Sequence, residues 1–348
     1  MGQRIRTGLC DWLNQHIVVV SKLLIIITIF LIVIPAILLI GLLPGIVRHT
    51  ESEIPVYPGF KDIKNTKTKV IFIGDTQRTS YWEFWRERNY NKSPVLLRKI
   101  ADRDPAFLII LGDLIFQGSS TLHWTHFDKN SRPILENRLP LFPIPGNHEY
   151  YGPDEKAFKH YFSRFPHLEN KTWYGFSFKN TGFIMLNSNF DQMSPLERTN
   201  QRKWYLQELA KMELDNKIKF VIVCIHHPPY TNSTVIRPSN IVREVYASQF
   251  LRCSKTAFFL SGHTHSIEIF KKNGKTFIIS GGGGGHRHRL DTDKKNRKYN
   301  DTFNGPSIRF LHFCQLEIHE TFLEMQIVKL DKNDSFETEL ILTQKIDN

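Results

Sequence analysis

Cysteine is scarce. Cys10, Cys224, Cys253 and Cys314 are the only four in 348 residues, and no two stand in a C-x-x-C spacing. A disulfide-dense scaffold and an all-thiolate zinc site are therefore excluded. Cys224 lies inside the apolar run FVIVCIHH and reads as a small core residue, while a bridge between Cys253 and Cys314 stays open. Internal repeats are absent, and the one low-complexity tract is Gly281–Gly285. Basic stretches interleaved with aromatics are missing too. Although the formal net charge is +12, which favours phosphates or anionic surfaces in general, nucleic acid is not expected as a partner.

Charge is also lacking over one long stretch, residues 23–47, LLIIITIFLIVIPAILLIGLLPGIV. As a helix this run spans about 37 Å at 1.5 Å per residue, enough to cross a hydrocarbon core of about 30 Å with some tilt. No A-x-A cleavage site follows it, which argues against a cleaved signal peptide. Arg4, Arg6 and Lys22 precede the run, against Asp11 alone; Arg48, Glu51 and Glu53 follow it. The positive-inside rule then places the N-terminus in the cytoplasm and the remainder on the extracytoplasmic side of a single-pass membrane protein. Myristoylation at Gly2 is rejected because position 6 is Arg6. The expected organisation is a short cytoplasmic tail (1–22), a transmembrane anchor (23–47), a polar linker (48–66) and one domain (67–348). Sequons at Asn91, Asn170, Asn232, Asn300 and Asn333 matter only in a glycosylating compartment.

What fills residues 67–348 is an alternation of strand-like and helix-like stretches. KVIFIGD (69–75), AFLIILGD (106–113), KFVIVCIHH (219–227), TAFFLSGHTH (256–265) and KTFIISGGGGG (275–285) are short continuous apolar runs, as expected for strands buried on both faces. Between them, SPVLLRKIADRD predicts a helix with Ser93 as N-cap and Pro94 in the first turn. SPLERTNQRKWYLQELAKM predicts one opened by a Ser194/Glu197 capping box. Near the C-terminus, FLEMQIVKL and FETELILT alternate as strands do. The fold class is α/β with a sheet-rich C-terminal segment.

Polar residues recur where these runs end. Gly74-Asp75-Thr76-Gln77, Gly112-Asp113, Gly146-Asn147-His148-Glu149, His226-His227-Pro228-Pro229 and Gly262-His263-Thr264-His265 each close an apolar run. In open α/β sheets, sites gather outside the carboxyl ends of the strands. Each piece alone is a common turn; five in this order imply convergence, because buried carboxylates and imidazoles need partners. Carboxylate, amide oxygen and imidazole together suit two ions of Mn, Fe or Zn rather than calcium or structural zinc.

The ordered blocks GDTQ, LGDL, GNHE, HHPPY and SGHTH resemble the calcineurin-like metallophosphoesterase family over about residues 68–286, closest to its purple-acid-phosphatase-like branch. The resemblance implies a four-layer α/β/β/α sandwich with a dinuclear metal centre. It implies that Asp113 bridges both metals, that Asp75 and His265 bind the first, and that Asn147, His226 and His263 bind the second. His148 matches the family's histidine that contacts the phosphate or protonates the leaving group. The implied reaction is hydrolysis of a phosphate ester by a hydroxide bridging the metals; a catalytically impaired binding protein on the same scaffold is the alternative.

Two positions depart from the pattern. Where the branch has an iron-binding tyrosine, three residues past the bridging aspartate, this chain has Phe116, and the general Asp-x-His becomes Asp75-Thr76-Gln77. No tyrosinate-to-iron colour is expected. Gln77 either lends its carbonyl oxygen to the first metal or faces solvent. Glu149 reads as a support for the ligands and His227 as structural. The glycine run permits close backbone approach. The basic stretch His286, Arg287, His288 and Arg289 reads as a solvated loop or a contact for anionic substrate, and the segment 114–139, with His123, Trp124 and His126, as a wall of the pocket.

Overall fold

The structure is a computed structural model that describes residues 27–33, 53–79, 85–89, 91–331 and 333–345. The chain divides into two units, Met1–Glu53 and Ile54–Asn348. In the first, residues 27–33 are helical, Ile29–Val33 as a π-helical stretch, with Phe30, Leu31 and Ile32 exposed. Among the described residues no helix is long and apolar enough to cross a membrane; most of the 23–47 run lies outside them.

The second unit is built on two six-stranded sheets. In the first sheet, β1 (Lys69–Ile73), β2 (Phe107–Ile110) and β3 (Leu141–Pro143) run parallel. The antiparallel β10 (Leu311–Ile318), β11 (Phe322–Leu330) and β12 (Phe336–Lys345) extend it from β1. In the second, β5 (Thr181–Leu186), β6 (Phe220–Ile225), β7 (Thr256–Ser261) and β9 (Lys275–Ser280) are parallel. Antiparallel β4 (Tyr174–Phe178) and β8 (Ile267–Lys272) close its two edges. The mixed α/β class and the sheet-rich C-terminal segment agree with the sequence pattern, and the two sheets with what the family resemblance implies.

Side-chain alternation explains the layering. In β6, Phe220, Ile222 and Cys224 join the core between the sheets, while Val221, Val223 and Ile225 join a second cluster on the opposite face. That outer face is covered by α5 (Pro195–Leu214), through Tyr205, Leu209 and Met212, and by the π-helical stretch Val242–Ala247 that runs into α6 (Ser248–Arg252). The sheets meet through aromatic rings. Phe107 lies 5.3 Å from Phe183 and 5.2 Å from Phe178, centroid to centroid. Around the first sheet, α1 (Lys92–Asp102), α2 (Thr121–Asn130) and α3 (Arg132–Glu136) add Leu96, Leu97, Ile100, Trp124, Phe127 and Ile134 to the same core. A further helix, α4 (Asp154–Arg164), buries Tyr161.

Helix starts follow the sequence signals unevenly. Ser194 accepts from the Glu197 N–H and Glu197 accepts in return, the capping box expected for α5. In α1 the cap position is Asn91, and Ser93 lies inside the first turn. The described part of the expected linker is likewise not one: Tyr57 is buried against Phe127 and Phe165. Its N–H donates to Arg164 O at 2.9 Å, and the Leu141 N–H donates to Pro58 O at 3.0 Å. The prolines and charges of 54–66 suggest a tether, but two aromatic rings dock it on the domain. Cys253 and Cys314, for which a bridge was open, are free thiols.

Candidate metal centre

The parallel strands deliver their loops to one place. Asp75 follows β1, Asp113 β2, Asn147 and His148 β3, His226 β6, and His263 and His265 β7. All of the expected ligand positions come together there. Asp75, Asp113 and His263 hold left-handed backbone, with φ of 60°, 53° and 66°. Asp and His tolerate that region better than most residues, at a cost of about 1 kcal/mol or more each. Local hydrogen bonds offset it: the His263 N–H donates to both Asp75 oxygens at 3.0 Å, and the Asp113 N–H donates to Glu149 Oε2 at 2.9 Å.

Two groups of donor atoms lie on either side of Asp113. Its Oδ1 is 3.4 Å from His226 Nε2, which in turn is 3.2 Å from Asn147 Oδ1 and 3.2 Å from His263 Nδ1. Its Oδ2 is 3.2 Å from Gln77 Nε2, which is 3.1 Å from His265 Nε2; that nitrogen is 3.4 Å from Asp75 Oδ1. Asp75, Asp113 and His265 offer donor atoms within 4.8 Å of one another, as do His226, His227 and His263. One carboxylate thus faces two clusters with its two oxygens.

Three observations test whether cations fit. His226 Nδ1 contacts Leu111 O at 2.8 Å and His265 Nδ1 contacts His286 O at 2.7 Å. Each ring therefore carries its proton on Nδ1 and turns the Nε2 lone pair toward a carboxylate, where a cation relieves the repulsion. Without a cation, the site takes up a proton instead. Burial alone would lower the His226 pKa, but Asp113 beside it pushes the ring up to about 9. Finally, Gln77 Oε1 is buried with no hydrogen-bond partner. Exchanging the two amide ends turns this oxygen toward Asp113 and His265, so the solvent-facing reading of Gln77 fails. The residues fit two cations.

Glu149 supports the loops that carry the ligands. Its two oxygens accept from the N–H groups of Asp113, Leu114 and Gly146 at 2.9, 2.8 and 2.6 Å. Burial, then the neighbouring Asp113, pushes its carboxyl up to about 8. Gly146 is required by the close packing: a Cβ there would lie 2.2 Å from Asp113 Oδ1. His148 donates its N–H to Asp113 Oδ1 at 3.0 Å and sets Nδ1 on Phe116 O at 2.6 Å. This leaves Nε2 facing the centre, 3.8 Å from Asp113 Oδ2. His227 is fixed by Ser188, whose Oγ lies 2.7 Å from Nδ1.

Sequence reasoning missed one cluster. His286 and His288 meet His265, with donor atoms within 4.8 Å of one another. The glycine run brings them there: the Gly283 and Gly285 N–H groups donate to Gly74 O and Asp75 O at 2.9 Å. A Cβ on Gly285 would come within 2.7 Å of His265 Nδ1. The only signal was the alternation His-x-His after the glycines. In the 114–139 segment, the His123 ring packs edge-on against Phe116 and Trp124 is buried.

The calcineurin-like phosphoesterase family matches residues 68–266, and the chain belongs to that family. Among curated proteins, none matches. Solved structures share the fold at low identity. One is GAP50, "the anchor in the inner membrane complex of Plasmodium": TM-score 0.60, 15% identity, 81% of this chain and 90% of that one. A purple acid phosphatase, PPD1 of yellow lupin (Lupinus luteus), gives a TM-score of 0.58 at 16% identity over 83% of this chain and 55% of the other. A dimetal phosphatase of Danio rerio gives 0.53 at 17% identity over 81% and 100%.

Proposed function

We propose that the protein is a membrane-anchored phosphoric ester hydrolase with a dinuclear metal centre. The observation that carries the reading is Asp113, whose two carboxylate oxygens face two separate donor clusters. Asp75, Gln77 and His265 would hold one cation; Asn147, His226 and His263 would hold the other; Mn, Fe and Zn all suit this donor set. When bound, such a pair supplies an acidified water and positive charge on the phosphoryl oxygens. The chain supplies the rest. His148 is anchored through Nδ1, so its Nε2 is the atom able to hand a proton to the leaving oxygen. Glu149 keeps Asp113 and the Asn147 loop in register. Substrates are phosphate esters, and fold and centre alone do not choose among them.

The test is turnover of p-nitrophenyl phosphate and its bis-ester by purified protein loaded with Mn, Fe or Zn. Asp113→Ala and Asn147→Ala are expected to abolish it, by at least about a hundredfold; full activity in either variant overturns the mechanism. Anchoring through 23–47, with the catalytic domain on the extracytoplasmic side, is part of the proposal and rests on the uncharged run and its flanking charges.

A second reading is a binding protein on a weakened centre. It is favoured by Gln77 and Phe116 at two positions where the pattern has metal-binding side chains, and a solved structure of this fold is described as an anchor. Metal analysis separates the two: two ions per chain support the enzyme, and fewer than one, with no turnover after metal addition, supports the binder.

A further inference from the structure

The side of the centre that holds Asp75 and His265 is the side where Gln77 and Phe116 depart from the pattern, and it is there that the loop after β9 brings two more imidazoles. His288 stacks on His265 with ring centroids 4.3 Å apart and planes 12° from parallel, and the His286 ring centroid is 4.9 Å from that of His265. The Nε2 atoms of His286 and His288 are 3.2 Å apart. Two imidazole nitrogens bound side by side to one ion at about 2.0–2.1 Å stand about 2.9 to 3.4 Å apart, from octahedral to tetrahedral angles, so the pair is already spaced as a chelate.

The loop is built to hold that spacing. The His288 N–H donates to His265 O at 3.1 Å, and Gly281 and Gly285 tie the run to Ser266 O and Asp75 O at 3.1 and 2.9 Å. Arg287, between the two histidines, turns instead to Glu87, with Nε 2.9 Å from Oε2, and to Arg309 O at 3.0 Å. A positive group already occupies the His286 lone pair: Arg86 NH1 lies 2.6 Å from His286 Nε2.

We infer that His286 and His288 are ligands of the cation on the His265 side, supplying donors in place of the histidine and tyrosine that Gln77 and Phe116 replace. The inference rests on the metal-centre reading above. Binding requires Arg86 to give up its contact with His286. It also requires His288 to carry its proton on Nδ1, at the expense of the long 3.4 Å contact from the His265 N–H.

The experiment is cobalt titration of the full chain in detergent, followed by visible absorption, X-ray absorption and metal analysis, comparing wild type with His286→Asn and His288→Asn. Arg289→Ala, an exposed side chain in the same loop, is the control, and thermal unfolding checks that each variant is folded. In both histidine variants, affinity for one of the two cobalt ions is expected to fall about tenfold or more. The imidazole count at cobalt should fall with it, while the other ion and the control stay unchanged. Two ions bound with wild-type affinity and spectrum in both variants overturn the inference and leave the dinuclear centre standing. If phosphate affinity alone falls, the pair serves substrate and the inference also fails. Wild type binding less than one ion overturns the metal-centre reading itself.

Discussion

Glu149 shows how much of the centre depends on a residue that touches no substrate. Each of its oxygens accepts backbone N–H groups, Oε2 from Asp113 and Gly146, Oε1 from Leu114 and Ile115. Glu149→Ala would leave these N–H donors without their acceptor in a buried site. A loss of about 1–3 kcal/mol is expected, with weaker metal retention because Asp113 and Asn147 sit on the loosened loops. Urea denaturation and metal content measure both; a variant with wild-type stability and two retained ions would contradict this role. The convergence of the candidate ligand positions was legible because each closes an apolar run, and strand ends converge. His286 and His288 were not. Their value depends on a glycine run folding back onto Asp75 and His265, and no spacing in the sequence reports that approach.

Between elements, the aromatic contact of the two sheets and one buried acid carry separate expectations. Phe107 is fully buried and meets Phe142, Phe176, Phe178 and Phe183 within 5.5 Å. Phe107→Ala should cost about 3–5 kcal/mol by calorimetry or denaturant, through lost transfer energy and the cavity left behind. Glu268 on β8 is buried and accepts from Thr231 Oγ1 and from the Asn232 N–H at 2.8 Å, tying the loop after β6 to the sheet edge. Burial pushes its carboxyl up to about 7. A raised acid binds its proton more tightly folded than unfolded, so its contribution is present below the unfolded value near 4.5 and is lost as pH rises through about 7. Glu268→Gln should therefore gain on wild type between pH 5 and 8, by on the order of 1–3 kcal/mol; parallel pH–stability curves would refute this. Long apolar strands such as β6 and β7 could be read directly. Three-residue β3 is too short for any periodicity to report it, and the polar stretch 54–62 hid the docking of Tyr57.

At the scale of the molecule, the unit Ile54–Asn348 carries its own core and the candidate centre, whereas the uncharged run 23–47 belongs to the other unit, Met1–Glu53. The physical demands on the two stretches differ. Burying apolar side chains between sheets and helices satisfies the first in water. A run of this length and apolarity finds comparable surroundings only in lipid or in another apolar environment. The full chain is therefore expected to sediment with membranes and to need detergent for extraction, not high salt, since apolar burial is not screened as the +12 surface charge is. A fragment starting at Glu53 should stay in the supernatant, unfold cooperatively and retain two metal ions and phosphoesterase turnover. It must not start beyond Tyr57, because removal of that residue would take a buried ring from between Phe127 and Phe165. Fractionation of the full chain and the fragment, each with carbonate and detergent washes, decides the point. A full chain that salt alone releases would place the attraction in charge and overturn the anchor, while leaving the centre untouched.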